Sequence, residues 1–222
     1  MSDAAAYCEC CDPTADTRDA IDSYTGTIAP ELEQIRNVGF SLIFETGAPV
    51  PLAGLAEKSG LPISEVASRL TLIEDAGRAR RNADGDLVGI AGLSLEPTSH
   101  SVSIAGRDFW TWCALDAVGI FSAMRATGRV RTSPPGGTGP PLHIEFQQGV
   151  ADSGASVFIA GGYDGQDVFQ SWCPKVNFFA TAAEAHAWAA QTGVDGDVVT
   201  IPEISETAGS IWKNVVDGVR VG

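Results

Sequence analysis

Apolar residues recur at steps of three and four near the start of the chain, which is the spacing of an amphipathic helix. Between residues 20 and 44 they are Ile21, Tyr24, Ile28, Leu32, Ile35, Val38 and Leu42. Gly26 and Pro30 interrupt the pattern, because both residue types disfavour a helix interior. We therefore predict one or two helices in this stretch.

A second helical region follows between residues 51 and 77. One helix is predicted from about Pro51 to Lys58, where Ser59-Gly60 ends it. The next is predicted to start near Ser64 and to end at Gly77. Its buried face should consist of Leu70, Ile73 and Ala76.

A tight turn at Ala83–Asp86 joins two short predicted strands behind these helices. The order helix, turn, helix, hairpin is typical of a winged helix, a fold that can bind DNA. The arginines placed to contact phosphate are Arg78, Arg80 and Arg81. The acidic residues of the second helix outnumber its one arginine: they are Glu65, Glu74 and Asp75, against Arg69. We therefore favour a packing or dimerisation role for this region over DNA binding.

After about residue 97 the pattern changes to short alternating runs, which are typical of strands. Strands are predicted at Ser101–Ile104, 128–132, 142–148, 155–160, 176–180 and 198–201. Helices are predicted at Arg107–Met124, at Ala182–Ala190 behind a Thr181 cap, and at Glu203–Val216. The fold class is therefore predicted as α+β. It comprises a flexible cysteine-containing arm at 1–20, a winged-helix-like helical domain at 21–96, and a mixed α/β domain with mainly antiparallel strands at 97–222.

The charge of the chain argues against two classes of partner. The net charge is −14 and the sequence pI is about 4.4, so the surface repels phosphate backbones and anionic membranes. The sequence has no apolar run long enough to span a bilayer, and its N-terminus lacks the pattern of a signal peptide. We expect a cytoplasmic protein with reduced thiols, no nucleic-acid partner and no membrane partner.

The segment WCALDAVGI, residues 112–120, places a thiol and a carboxyl in an otherwise apolar run. On the predicted helix Cys113 and Asp116 are three residues apart, which puts them on one face. A carboxyl in an apolar pocket tends to keep its proton near neutral pH, and a thiol beside it is a nucleophile or a soft-metal ligand. This pair is a candidate reactive site.

Another isolated cysteine, Cys173, lies in SWCPKVNFFAT, residues 171–181. Two cysteines in aromatic surroundings, together with one carboxyl, are compatible with a soft-metal site. Two structural cysteines buried in a core would give the same pattern, because free cysteine is among the most buried residue types. Spacing alone leaves both interpretations open.

The segment PTSHSVSIAGRDFWTWCALDAVGIFSAMRATGRVR, residues 97–131, resembles the active-site region of the alkylmercury lyases. The segment QSWCPKVNFFAT, residues 170–181, is similar to the second cysteine motif of that family, in which a cysteine shortly precedes a Phe-Phe-Ala strand. The winged-helix-like segment fits the same architecture. The resemblance covers roughly residues 20–215, and it identifies the domain at 97–222 as the catalytic one.

This resemblance implies cleavage of the carbon–mercury bond of organomercurials by protonolysis, giving a hydrocarbon and Hg(II). Cys113 and Cys173 match the two catalytic cysteines that also hold the Hg(II) product, and Asp116 matches the aspartate that relays the proton. No cofactor is implied. The product would pass to a low-molecular-weight thiol or to a mercuric reductase. Aromatic residues expected to exclude water around the organic group are Phe109, Trp110, Trp112, Trp172, Phe178 and Phe179.

The remaining cysteines, Cys8, Cys10 and Cys11, lie in the N-terminal arm. Five cysteines cannot all pair in internal disulfides, and no zinc-finger spacing is present. A clustered thiol arm can capture mercury or accept it from the site, since a mobile arm supplies access. It can also bind copper or zinc, or be a disordered tail.

Two other functions are compatible with the sequence. One is a non-catalytic protein that holds Hg(II) or Cu(I) with thiolates on the same scaffold. The other is a metal-responsive regulator whose winged helix binds DNA. Asp116 argues for the lyase over the simple binder, which needs no carboxyl, and the negative charge argues against the regulator. The histidines follow no ligand spacing, and we do not expect them to bind metal: His100, His143 and His186.

Overall fold

A computed structural model describes residues 21, 28–135, 139–151, 153–163 and 167–219. The predicted arm, with Cys8, Cys10 and Cys11, lies outside the described residues. Within the described part no helix is long and apolar enough to cross a membrane.

The first elements are three helices: α1 (Pro30–Thr46), α2 (Leu52–Ser59) and α3 (Ile63–Asp75). Proline occupies the first turn of α1, where its missing N–H costs nothing. Gly47 and Gly60 end α1 and α2 in the left-handed conformation, with φ of 62° and 72°. The helices predicted in this region are confirmed, with Leu70 and Ile73 buried on α3.

Seven strands between residues 79 and 146 build one antiparallel sheet. They are β1 (Ala79–Arg81), β2 (Leu87–Ile90), β3 (Leu93–Ser94), β4 (His100–Ile104), β5 (Arg107–Thr111), β6 (Gly128–Thr132) and β7 (Leu142–Phe146). Their spatial order is β1-β2-β3-β5-β4-β6-β7. The predicted turn between β1 and β2 is confirmed. The side-chain oxygen of Asn82 accepts the backbone N–H groups of Asp84 and Asp86 and so fixes this turn.

The second half adds a smaller sheet, in the order β10-β8-β9, and three helices. These elements are α4 (Ala114–Met124), β8 (Ser156–Ala160), β9 (Asn177–Phe179), α5 (Ala182–Thr192), β10 (Gly196–Thr200) and α6 (Ile201–Trp212). Helix α4 is buried from its first residue to Phe121 and packs against α6. The close approach depends on Gly119, since a Cβ there would lie 2.9 Å from Cδ2 of Trp212.

The prediction of one helix over Arg107–Met124 was wrong. Residues 107–111 form β5, which pairs with β4 across a two-residue turn, and the helix begins only at Ala114. The turn residues Ala105 and Gly106 both have positive φ, 52° and 73°, which is the conformation of a tight hairpin. Burial alternates through β5, with Phe109 and Thr111 inward, so the strand period prevails over the helical one.

The coarse fold class is confirmed as α+β with antiparallel sheets. The strands predicted around residues 128–132, 142–148 and 155–160 are present. Thr181 caps α5 as predicted: its Oγ1 accepts the Glu184 N–H at 3.2 Å, and a Glu184 oxygen accepts the Ala180 N–H.

Candidate active site

Cys113 and Asp116 meet at the start of α4, although not on a helix face as predicted. Cys113 is the extended residue before the helix, and Asp116 is the third residue inside it. Oδ2 of Asp116 accepts the Cys113 backbone N–H at 2.8 Å. The carboxyl thus satisfies a free N–H of the helix start, as the third residue of a capping box does. Both side chains are fully buried.

Cys173 lies in an irregular segment between β8 and β9. Residues Val168–Trp172 form a π-helical turn and Cys173–Lys175 a 3₁₀ turn. The Trp172 indole N–H donates to the Ala160 carbonyl at 2.8 Å, which fastens the segment to β8. Cys173 is 1% exposed, so its thiol points into the protein. Single π-turns of this kind are frequent at functional sites.

Backbone hydrogen bonds bring the two cysteine segments together. The Ala114 N–H donates to the Val176 carbonyl at 3.1 Å, and the Val176 N–H donates to the Cys173 carbonyl at 3.1 Å. The start of α4 is therefore joined directly to the end of the 3₁₀ turn. As a result the ligand atoms of Cys113, Asp116 and Cys173 all lie within 4.8 Å of one another. The structure brings together the three residues that the sequence singled out.

The burial of these groups makes both thiols weak acids. Burial raises the pKa of Cys113 well above its usual range, and the hydrogen bond to Cys173 and the negative charge of Asp116 raise it further. Burial and the negative charge of Asp116 also raise the pKa of Cys173, whereas its hydrogen bond with Cys113 and the positive charge of Arg78 lower it in part. Both thiols are therefore protonated near neutral pH, and the site carries its own supply of protons.

The aromatic side chains of the two cysteine motifs are mostly buried. Of the six that the sequence predicts as a water-excluding shell, Trp110 is partly exposed and the others are buried: Phe109, Trp112, Trp172, Phe178 and Phe179. The Trp112 ring meets the Phe169 ring edge to face at 5.4 Å. Trp112 also lines a cavity of about 280 Å³, together with Arg78 and Ala91. Trp112 precedes Cys113 in the chain, but none of the three cluster residues lines this cavity.

Two neighbours of the site were not predicted from the sequence as parts of it. Arg78, considered only as a phosphate contact, is 6% exposed and acts on Cys173 through its charge. Gly92 lies against the Asp116 carboxyl, so that an added Cβ would overlap Oδ1 and Cγ. The only signal for Gly92 was its place in the short IAGL link between two apolar runs.

His100 is buried but lies apart from the three-residue cluster. Its Nδ1 is 2.7 Å from Oγ1 of Thr132, and its ring meets Phe178 edge to face at 5.7 Å. Burial lowers its pKa to about 4, so the ring is neutral at physiological pH. His143 and His186 are exposed. Cys113, Asp116 and Cys173 form the one candidate metal cluster found among the described residues, and it contains no histidine.

The family model of the alkylmercury lyases matches residues 93–213 of this chain. The alkylmercury lyase of Staphylococcus epidermidis is 30% identical over 146 residues, which cover 64% of this chain and 65% of that protein. The alkylmercury lyase of Pseudomonas putida is 32% identical over 147 residues, covering 64% and 67% respectively. The chain thus matches about 65% of the length of these curated relatives.

A solved structure supports the fold. The crystal structure of the mercury-bound form of MerB2 superposes with a TM-score of 0.78, covering 91% of this chain and 100% of that one. Its sequence is 19% identical to this chain, so the likeness concerns the arrangement of helices and strands.

Proposed function

The chain belongs to the alkylmercury lyase family, and from this premise we propose that it cleaves the carbon–mercury bond of organomercurials, releasing a hydrocarbon and Hg(II). The observation that carries the proposal is the buried cluster of two thiols and one carboxyl within 4.8 Å. Thiolate is the softest ligand a protein offers, and mercury is a soft ion. A carboxyl beside two thiols adds what a simple metal trap does not need, a group that moves protons.

The proton balance follows from the raised pKa values of the two thiols. One thiol loses its proton to solvent or to the displaced ligand when its sulfur binds the mercury of R–Hg⁺. Asp116 takes the proton of the second thiol as that sulfur also binds the metal. The carbon–mercury bond then breaks and its electron pair accepts the proton from Asp116, giving R–H. Hg(II) remains bridged by the sulfurs of Cys113 and Cys173.

The surroundings of the cluster support this chemistry. The buried aromatic side chains exclude water, so that the proton on Asp116 is directed to carbon. The cavity of about 280 Å³ beside Trp112, the residue before Cys113, is a candidate place for the organic group; apolar Ile211 and Trp212 line it together with charged Glu33 and Arg36.

The N-terminal region has a structural part in this proposal. Helices α1–α3 followed by the β1–β2 hairpin have the element order of a winged helix, and we assign to it residues 21–96, with the catalytic domain at 97–222. Strands β1–β3 of the first domain and β4–β7 of the second belong to one sheet. Backbone hydrogen bonds between β3 and β5 therefore join the two domains. A DNA-binding role is disfavoured, since Arg69 and Arg81 pair with acidic neighbours on the same surface and Arg78 is buried.

The acceptor of Hg(II) is proposed from chemistry alone. A bridged Hg(II) leaves by thiolate exchange, so we propose a low-molecular-weight thiol or a mercuric reductase as the acceptor. A cytoplasmic location would supply reduced thiols. Cys8, Cys10 and Cys11 lie outside the described residues, and their binding of metal stays a prediction.

Carbon–mercury cleavage is tested by incubating the reduced protein with methylmercury and excess low-molecular-weight thiol, and measuring methane by gas chromatography. A background with Cys8, Cys10 and Cys11 changed to serine removes mercury binding by the arm. We expect methane from this background, and none above the blank from its Cys113→Ala and Cys173→Ala variants, because each leaves one sulfur.

The background protein itself is the matched control, since it lacks three cysteines but keeps the site. Methane from either single variant would contradict the two-thiol mechanism. No methane, with one Hg(II) bound per chain, would identify a non-catalytic metal-binding protein instead.

A further inference from the structure

The link between β2 and β3 is a two-residue turn made of Ala91 and Gly92. Both residues have positive φ, 50° and 81°, which is the type I′ conformation that a two-residue hairpin requires. The Gly92 carbonyl accepts the Trp112 N–H at 3.0 Å, and the Ala91 carbonyl accepts the Trp212 indole N–H at 2.8 Å. The turn is therefore fixed to the residue before Cys113 and to α6.

The same turn lies directly against the Asp116 carboxyl. A Cβ added at Gly92 would overlap Oδ1 and Cγ of Asp116 and lie 2.7 Å from its Cβ. The carboxyl occupies the space that any side chain at position 92 would need. Its other oxygen, Oδ2, accepts the Cys113 N–H at 2.8 Å. Asp116 is thus held between a backbone donor on one side and the bare backbone of Gly92 on the other.

We propose that Gly92 is a positioning residue for Asp116, and that the absence of a side chain there keeps the carboxyl beside both thiols. This role rests on the proposed function, in which Asp116 carries the proton. Gly92 lies one residue outside the segment 93–213 that the family model matches. It acts through Asp116 and is itself neither a proton donor nor a metal ligand.

Trp212 contacts both the turn and the helix that carries Asp116. Its ring packs on Gly119 of α4, the helix that carries Asp116, and its indole N–H holds the Ala91 carbonyl. Helix and turn are therefore braced by one rigid side chain that is 1% exposed. The turn cannot shift alone to make room for a side chain at position 92, because Trp212 holds it. We therefore expect such a side chain to displace the Asp116 carboxyl.

The test compares Gly92→Ala with Gly85→Ala. Gly85 has φ of 84°, close to the 81° of Gly92, but nothing lies within 4 Å of its added Cβ. The two substitutions impose the same backbone strain, and only one meets Asp116. We expect Gly92→Ala to lower the single-turnover rate of methane or benzene release about 100-fold, the loss typical of a displaced reacting group. Gly85→Ala should keep the wild-type rate.

Mercury binding separates positioning from general damage. Gly92→Ala should still bind one Hg(II) between its two site thiols, measured by ultraviolet thiolate–mercury absorption in the serine-substituted background. Equal rates for Gly92→Ala and the wild type would overturn the proposal, as would a parallel loss of rate and Hg(II) binding.

A double substitution tests the contact itself, whether or not the protein turns over substrate. Asp116→Ala removes the overlapping atoms beyond Cβ, so it should bring the urea midpoint of Gly92→Ala closer to that of Gly85→Ala. It should also restore folding if Gly92→Ala alone fails to fold. The absence of any such recovery would overturn the proposal. If the wild type releases no hydrocarbon but the recovery is seen, the proposed function fails while the contact between Gly92 and Asp116 stands.

Discussion

Cys113 lies at the junction of a strand and a helix, inside a buried run from Thr111 to Ile120. Cys173, by contrast, lies between a π-helical turn and a 3₁₀ turn, beside the exposed residues Pro174 and Lys175. One thiol therefore lies where a strand meets a helix, and the other in an irregular segment one residue from the surface. We call the Cys113 half of the site the fixed half, because Asp116 is held there between the Cys113 N–H and Gly92.

The two thiols also differ in the charges and hydrogen bonds that act on their pKa values. Cys113 lies beside Asp116, whose negative charge adds to burial in raising the thiol pKa. Burial and the negative charge of Asp116 raise the pKa of Cys173 as well, but the hydrogen bond with Cys113 and the positive charge of Arg78 lower it in part. Cys173 is therefore the thiol that ionises more readily. We therefore expect Cys173 to bind incoming mercury first and Cys113 to bind it second, an order that the predictions below test.

Asp116→Asn should have the largest effect, because it removes the proton carrier from the fixed half. An asparagine oxygen can still accept the Cys113 N–H, so the start of α4 keeps its geometry. We expect the single-turnover rate to fall by about 10²- to 10⁴-fold, the usual contribution of a positioned acid or base, while one Hg(II) still binds per chain. Hydrocarbon release followed by gas chromatography measures the rate.

The control for that variant is Asp108→Asn, which neutralises an exposed carboxyl on β5 and should change nothing. Normal turnover of Asp116→Asn would mean that the proton reaches carbon by a route that bypasses this carboxyl. The fixed half would then serve only to bind metal.

The elements that the sequence predicted correctly are those with an unambiguous local pattern. Helix α2 ends at Gly60, burial alternates along β6 and β7, and β8 is a short apolar strand buried throughout, so propensity and packing agree there. The run from Arg107 to Met124 is apolar enough to fit either period. Its strand portion is decided by pairing with β4 across a two-residue turn, and apolar content within the run itself does not show that pairing. The Ala105-Gly106 turn was the one local signal for that hairpin.

The site was predictable in its residue types and not in its geometry. Cys113, Asp116 and Cys173 were identified because a thiol and a carboxyl are rare in apolar runs and because the two motifs resemble those of a family. The contacts of Gly92 and Arg78 with the site join distant parts of the chain through the folded sheet. Such contacts leave no trace in the spacing of residues, since a glycine in a turn has several ordinary explanations.

Arg78→Gln tests the difference between the two thiols, and we expect it to have a smaller effect than Asp116→Asn. Removing the cation should raise the pKa of Cys173 further, since a positive charge favours the thiolate. At pH 8 we expect Cys173 to react with methyl methanethiosulfonate about threefold to tenfold more slowly, in proportion to its thiolate fraction. Mass spectrometry of the separated peptides distinguishes Cys173 from Cys113 and from the arm cysteines.

The matched variant is Arg129→Gln, an exposed arginine on β6 that should leave both thiols unchanged. Arg78 is not among the causes of the Cys113 shift, so the rate of Cys113 should stay the same. A wild-type Cys113 that reacts faster than Cys173 would reverse the assignment of the two thiols.

His100 contacts residues near both cysteine motifs, and its substitution should leave turnover at pH 7.5 nearly unchanged while altering stability at lower pH. The residue pairs with Thr111 at the end of the Cys113 half, and its ring packs on Phe178 of the Cys173 half. Burial lowers the His100 pKa from 6.5 to about 4. Below pH 6.5 the His100 imidazole therefore binds a proton in the unfolded chain but not in the folded protein. The free energy of unfolding decreases for this reason as the pH falls toward 4.

Between pH 7.5 and pH 5 His100 alone should lower the free energy of unfolding by about 2 kcal/mol. This is the size expected when the pH falls from the unfolded-state pKa toward the lower folded-state pKa. Urea titrations at the two pH values measure it. His100→Gln should show a pH-dependent loss smaller by that amount, whereas His143→Gln, on the exposed side of β7, should match the wild type. An unaltered loss in His100→Gln would show that His100 is protonated in the folded protein. A charged imidazole next to Thr111 and Phe178 would then act on the pKa values of both cysteines. The difference between the two thiols would in that case depend on His100 as well as on Arg78 and Asp116.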